Sequence, residues 1–570
     1  MDSTDGALTV NLIEFVLAGY AAVGPLWLVG WRRARPQVWG ALAITGVVIV
    51  VAGLVFAGHR PEVIPLALVA VAVVALAFRR ARSTGGAPRP RGVAKSVLAY
   101  LAAISITLVV ALNAAFIEVF DPLANAPFHD LFSGPDTPDF SKLAWPEAFD
   151  KLHAHLTRAY AMGELKRVDW QALHDATAPR IDAAARTGDR AAYYRALREY
   201  LWALHDGHVD LSGDDGGARE TAIKGGFGFA LIRLDDGQTI AHVLMANGPA
   251  AAQGMQWGAA ILQWNGLGID DALAQTSTVW ASSPPATTEG VRLARLKLLP
   301  RAHLGTKVTI AFRNPGDTNT RSVELVAVDD QYEPIQRAGQ SQDFSLRATN
   351  IEWRILDGNV GYVKIRGELP TLPQLLPDST VRRAMNAFVA AGVTGIVIDV
   401  RGNIGGADKL VPLMMGYFVD RPVFYEHATL YSDVTGRFER EPTGTLWTTP
   451  RDPRFRGPLA VLVDDRCVSS GEGFALVARQ RAGGHVVGFY GTYGSFGMSG
   501  AEVLMPGGLT VDYPNGQSLD ANGHVQIDSN WELAGGIAPD VRVPLTMENV
   551  RAQFKDGRDV VLETAVQLLK

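Results

Sequence analysis

Apolar residues crowd into the first 120 positions of this 570-residue chain, and that asymmetry constrains its architecture more than any other feature. Four apolar stretches, at about 10–31, 38–58, 63–78 and 97–117, precede a chain of ordinary polarity. All but the third are long enough to cross roughly 30 Å of hydrocarbon as a helix, and the third sits at the short end of the range, where flanking arginines help. The first loop carries Arg32, Arg33 and Arg35, and the third Arg79, Arg80, Arg82, Arg89, Arg91 and Lys95, while residues 1–7 hold two aspartates and no base. Basic loops stay on the cytoplasmic side. The pattern therefore predicts an integral protein of a bacterial inner (plasma) membrane, with a transmembrane region of four helices over 1–120 and everything after residue 117 outside the cytoplasm. A cleaved signal peptide is not expected, because a basic leader is missing and more apolar stretches follow.

The remainder is too long for one domain. Residues 121–144 are rich in Pro, Asp and Gly and read as a linker. Over 145–220 the spacing of Phe149, Leu152, Leu156 and Tyr160, and of Leu197, Leu201 and Leu204, predicts a small helical domain. Residues 221–330 turn strand-like. There Gly226, Phe227, Gly228 and Phe229 form a glycine loop ahead of a strand, able to aim backbone N–H groups at a peptide carboxylate while the strand edge accepts the peptide. Asn247-Gly248-Pro249-Ala250-Ala251, Gly254, Gly258, Ile261 and Asn265-Gly266 follow in an order similar to a PDZ domain, with Ala259 where that pattern usually has Asp. Over 331–570, strands at 360–365, 395–400, 459–464 and 485–488 alternate with helical patterns at 381–391 and 472–480, which predicts an α/β core with a mainly parallel sheet.

Net charge of −5 gives no basic stripe for phosphates, so nucleic acid is not an expected partner. The one cysteine, Cys467, excludes an intrachain disulfide and a thiolate metal cluster.

Two strand ends carry the chemistry. One leaves its strand as Asp399-Val400-Arg401-Gly402-Asn403-Ile404-Gly405-Gly406, the other as Asp464-Asp465-Arg466-Cys467-Val468-Ser469-Ser470-Gly471-Glu472. A serine at a strand-to-helix turn lies near the positive helix end, where backbone donors hold a developing oxyanion; a serine there can equally be a helix cap. Together the two segments resemble the paired signatures of the C-terminal processing, or tail-specific, serine peptidase family, and the order of helical domain, PDZ and α/β core fits that family over about 145–545. The resemblance implies that the nucleophile stands three residues before Glu472, which selects Ser469 over Ser470.

The branch of that family with a Ser-Lys dyad has its lysine in a Phe-Gly-Lys-Gly segment. Here the sequence is Ser495-Phe496-Gly497-Met498-Ser499, and no lysine falls between Lys409 and Lys555. The chain is closer to the tricorn-core-like branch, whose histidine motif resembles Asp206-Gly207-His208-Val209 and whose late glutamate segment is similar to that of Glu532, with one residue extra before Gly536. The resemblance thus implies a Ser469, His208, Glu532 triad with an oxyanion site from Gly405 or Gly406 and Ser470, a polypeptide substrate captured by its C-terminus, and no metal or organic cofactor. His205, His485 and His524 are competing bases outside any matching motif, and Cys467 reads as a packed side chain. The alternatives are a catalytically silent binding protein on the same fold and a PDZ-based membrane sensor.

Overall fold

The computed structural model describes residues 137–339, 348–371, 373–374 and 376–570. The expected membrane architecture is corrected: no helix among these residues is long and apolar enough to cross a membrane. The four stretches before residue 120 lie outside the described residues, so neither the transmembrane region nor the inner-membrane location is retained, and the fold class is an α/β core with mixed sheets and attached helical and β-rich segments.

Helix α1 (Trp145–Ala159) buries Phe149, Leu152 and Leu156, the one face that a spacing of three and four produces. Helix α2 (Trp170–Thr187) begins where the Asp169 carboxylate accepts from the Ala172 N–H and stops at left-handed Gly188, and α3 (Arg190–Trp202) is capped in the same way by Asp189. The core of these helices is shared. Leu152, Tyr193 and Leu197 lie in one apolar cluster with Val503, Met505, Leu509 and Val511 from the hairpin Ala501–Met505/Leu509–Tyr513. After α3, Asp210–Ser212 pairs antiparallel with that hairpin, Leu211 opposite Val511. The turn at 205–208 is thereby fixed against the C-terminal part of the chain.

Five antiparallel strands follow: β1 (Phe229–Arg233), β2 (Thr239–Leu244), β3 (Ala260–Trp264), β4 (Lys307–Arg313) and β5 (Arg321–Val326), adjacent in that order. Helix α4 (Thr288–Leu298), absent from the sequence expectation, packs against β1. Its signal is visible in retrospect: Thr287 caps the Gly290 N–H, and Leu293 and Leu296 recur on the buried face.

The core sheet runs β6 (Ile351–Leu356), β7 (Val360–Ile365), β8 (Gly395–Asp399), β9 (Leu459–Leu462), β10 (Gly484–Gly488) and β11 (Val541–Arg542). Strand β6 is antiparallel to β7 and the rest are parallel. Val397, Val461, Leu462, Val486 and Val487 are buried, each worth about 1.5–3 kcal/mol as an upper bound. Parallel strands with both faces covered need such continuous apolar runs. Helices α5 (Pro377–Ala391) and α6 (Ser470–Arg479) complete the layers. Asp399 lies opposite Leu462, so β8 and β9 end together and the two motif-bearing turns leave from the same edge.

Candidate active site

Beyond Leu462, the chain is tied to the neighbouring turn before it reaches α6. The Asp464 carboxylate accepts from the Gly402 N–H at 2.7 Å, and the Val468 N–H donates to the Asn403 carbonyl at 3.0 Å. Ser469 then adopts φ 59°, ψ −142°, a conformation that costs a non-glycine residue on the order of 1–3 kcal/mol and persists only where neighbours impose it. It occupies the N-cap position of α6, yet its side chain makes no capping hydrogen bond. That separates the two roles left open for the serines: the half-buried Ser469 hydroxyl is not spent on the helix, whereas Ser470 is fully buried and donates to Glu368 Oε2 at 2.9 Å.

The opposite turn begins at Asp399. Burial alone would raise this carboxyl, but Arg401 and Lys364 outweigh it and hold it well below the ordinary range. With its strand end so anchored, Gly405 comes hard against Ser469. A Cβ on Gly405 would lie 2.5 Å from Ser469 Cβ and 3.0 Å from its Oγ, and φ is +88°. Glycine is required on both counts. The Gly405 N–H, however, donates to Asn403 Oδ1 at 2.7 Å, which takes it out of the expected oxyanion set. Gly406 has no acceptor for its N–H among the described residues, and Ser470 N–H belongs to the first turn of α6, where no intrahelical partner exists. Asn403 also donates to Glu368 Oε1 at 2.7 Å. Burial pushes Glu368 up to about 7 against the pull of its Asn403 and Ser470 donors.

The histidine side reaches the same place through one residue. Ser495 accepts the Ser469 N–H on its carbonyl at 2.9 Å and the Gly207 N–H on its hydroxyl at 2.8 Å. Ser495 is in turn held by Glu472, a buried carboxyl that accepts from Thr492 Oγ1, Gly494 N and Ser495 N. Burial raises Glu472 to about 8 despite these three donors. His208 therefore stands in a turn tied through Ser495 to that of Ser469. Its ring is nearly enclosed, with neither nitrogen hydrogen-bonded, to Ser469 or to anything else among the described residues. Burial lowers its pKa, partly offset by Asp206, whose Oδ1 lies 3.9 Å from Nδ1.

The other expected residues are placed differently. Glu532 is exposed and its carboxylate reaches no group of the site among the described residues. Gly226, Phe227, Gly228 and Phe229 are all buried. Gly226 is paired on both sides, with Arg301 and Val328, and the two phenylalanine rings pack on Trp264. Those four positions are packed rather than open to a peptide. His205 Nδ1 lies 3.0 Å from the Pro285 carbonyl, His485 faces Asp540, and His524 is exposed beside Asp520. Burial drives the Cys467 thiol well above its ordinary range, which leaves it a packed group. Among the described residues, no group of three or more His, Cys, Asp or Glu side chains is arranged to hold a metal ion. Ser495, Asn403 and Glu368 were missed in the sequence, since nothing local distinguishes a bridging hydroxyl, amide or buried acid from its exposed counterparts.

A free serine hydroxyl on a strained strand-to-helix turn, two unspent amides and a neighbouring imidazole are parts suited to acyl transfer. Residues 359–543 match Peptidase family S41; the match includes Ser469 and both glycines but not His208. The chain is similar in fold to mature CPAF complexed with lactacystin, with 15% identity, 75% of this chain and 98% of that chain covered, and a TM-score of 0.52. Mature CPAF alone gives 15% identity, 75% and 97% coverage, and a TM-score of 0.52. The photosystem II D1 C-terminal processing protease gives 18% identity, 73% and 99% coverage, and a TM-score of 0.35. The chain is a serine peptidase whose residues 359–543 match Peptidase family S41, and its paired motifs resemble those of the C-terminal processing, or tail-specific, family.

Proposed function

We propose that this peptidase cleaves polypeptides through an acyl-enzyme formed on Ser469, with His208 as the general base. Ser469 Oγ attacks the scissile carbonyl as its proton passes to His208. The oxyanion is met by the amides of Gly406 and Ser470, and the imidazolium then protonates the leaving amine. Water repeats the sequence to release the acid. The observation that carries this reading is the Ser469 hydroxyl, left uncommitted on a strained turn with Gly405 pressed against it. The unbonded His208 ring fits an apo site in which a turn of the side chain precedes chemistry. Recognition of a substrate C-terminus by the β-rich segment at 221–330 belongs to the same proposal and rests on its ordered glycine motifs, with the contact surface elsewhere than the buried Gly226–Phe229.

Cleavage of an unstructured polypeptide by the purified chain tests the proposal. Ser469→Ala is expected to lose about 10⁴-fold or more in kcat. Ser470→Ala retains most of the turnover while losing stability, since Glu368 forfeits a donor in a buried site. Equal turnover in wild type and Ser469→Ala would refute the assignment.

A further inference from the structure

We infer that Asp206, not Glu532, is the carboxylate that orients His208; the inference rests on the proposed Ser469–His208 chemistry and supplies its missing third group. An imidazole acting as base needs one nitrogen fixed as a donor so that the other presents its lone pair to the serine. The only carboxylate oxygen within 4 Å of the ring among the described residues is Asp206 Oδ1, 3.9 Å from Nδ1. Asp206 is completely buried and rigidly aimed: Oδ2 accepts from Tyr160 OH at 2.9 Å, and Oδ1 accepts from the His208 N–H at 3.0 Å. An ionised carboxylate oxygen has room for a second donor. A small rotation of the ring closes Nδ1–H onto Oδ1 and turns Nε2 outward, and it relieves the cost of two buried, unbonded ring nitrogens.

An ammonium and a second buried carboxyl lie around Asp206. Lys166 reaches in from the loop after α1, its ammonium donating to the His205 carbonyl and to the carbonyl and hydroxyl of Ser529, and it attracts both Asp206 and Asp528. Burial, with Asp206 next to it, raises the Asp528 pKa. Tyr160, which follows the last residue of α1, and Tyr493 from the loop after β10 are the tyrosines facing the pair. Burial lowers the Lys166 pKa, and Asp206 and Asp528 pull it back up.

The role is one of positioning, and its test must move more than the rate. Peptide cleavage is measured as kcat/KM against pH for wild type, Asp206→Asn, Asp528→Asn and Glu532→Gln, with folding of each checked by thermal melting. Asp206→Asn is expected to cost about 10³- to 10⁴-fold in kcat and to shift the acid limb to lower pH, because the carboxylate that favours imidazolium is gone. Glu532→Gln is expected to stay within about twofold with its limb unmoved. Should Asp206→Asn fail to fold, Tyr160→Phe serves instead. It frees Oδ2 without removing the charge, and a limb shifted from the wild-type position is expected. An unmoved limb in the folded Asp206→Asn or Tyr160→Phe protein overturns the inference, as does a limb shifted by Glu532→Gln or by Asp528→Asn alone. Inactivity of the wild type, or Ser469→Ala equal to it, would instead remove the peptidase chemistry on which the inference stands.

Discussion

The two sides of the site are built to different tolerances. On the core side, Asp464, Asn403 and Glu368 cross-link the β8 and β9 exits, Gly405 touches the nucleophile, and Ser469 is locked in a strained conformation. On the helical side, the turn of His208 reaches the nucleophile's turn through Ser495, and the imidazole itself is unbonded. The contrast separates what is preorganised from what must move under the proposed chemistry: the Ser469 turn and its neighbouring amides are set by the sheet, while His208 would complete the site by a side-chain rotation. It also matches the extent of the family similarity, which covers the rigid half and stops short of His208.

Glycine substitutions on each side would sharpen that contrast. Gly405→Ala is expected to have the largest effect, about 10²- to 10³-fold in kcat, because its methyl meets Ser469 Cβ at 2.5 Å with φ at +88° and displaces the nucleophile. Gly207→Ala places a methyl 2.6 Å from the Tyr493 ring and 3.2 Å from Ser495 Oγ. A side chain can give way where a strained turn cannot, so a loss of about tenfold is expected, expressed in kcat. If Gly207→Ala proved more damaging than Gly405→Ala in the same cleavage assay, the rigid and mobile halves would be assigned the wrong way round.

The smallest effect concerns the tie between the halves. Glu472 has its pKa raised from 4.5 to about 8 on folding. Between those values the folded chain binds the extra proton, so this group's contribution is present at low pH and is lost as pH rises through about 8. Glu472→Gln, already neutral, should lose that component: its Tm relative to wild type should rise from pH 5 to pH 9. A constant difference across the range would show that Glu472 does not carry the proton.

Much of this was legible in the chain itself. The β7 strand was readable at its full length, because short β-branched runs between turns admit little else, and the strand-to-helix turn that carries Ser469 was readable from the strand pattern before it and the helical pattern after it. The order helix, β-rich segment, α/β core follows from changes in hydrophobic period. Helix α4 was not, since its short apolar stripe lies amid turn residues. Asp206 stood in view beside His208, but a carboxylate two residues from a histidine reads as a turn former until Tyr160 and Lys166 are seen converging on it from 40 and more residues away. Glu532 was attractive in sequence, yet its carboxylate is exposed and reaches no group of the site among the described residues. The expectation of membrane spans drew on length and hydropathy over 1–120, and the described helices offer none.

Activation of Ser469 by His208 can be read from labelling with a serine-directed phosphonate. Peptide mapping after reaction of the wild type should place the adduct on Ser469. The labelling rate should fall only below the ordinary imidazole value of 6.5, because burial lowers the His208 pKa. His208→Ala should slow labelling by about 10²- to 10⁴-fold and abolish that pH dependence. An adduct on another residue, or labelling of His208→Ala at the wild-type rate, would contradict the account.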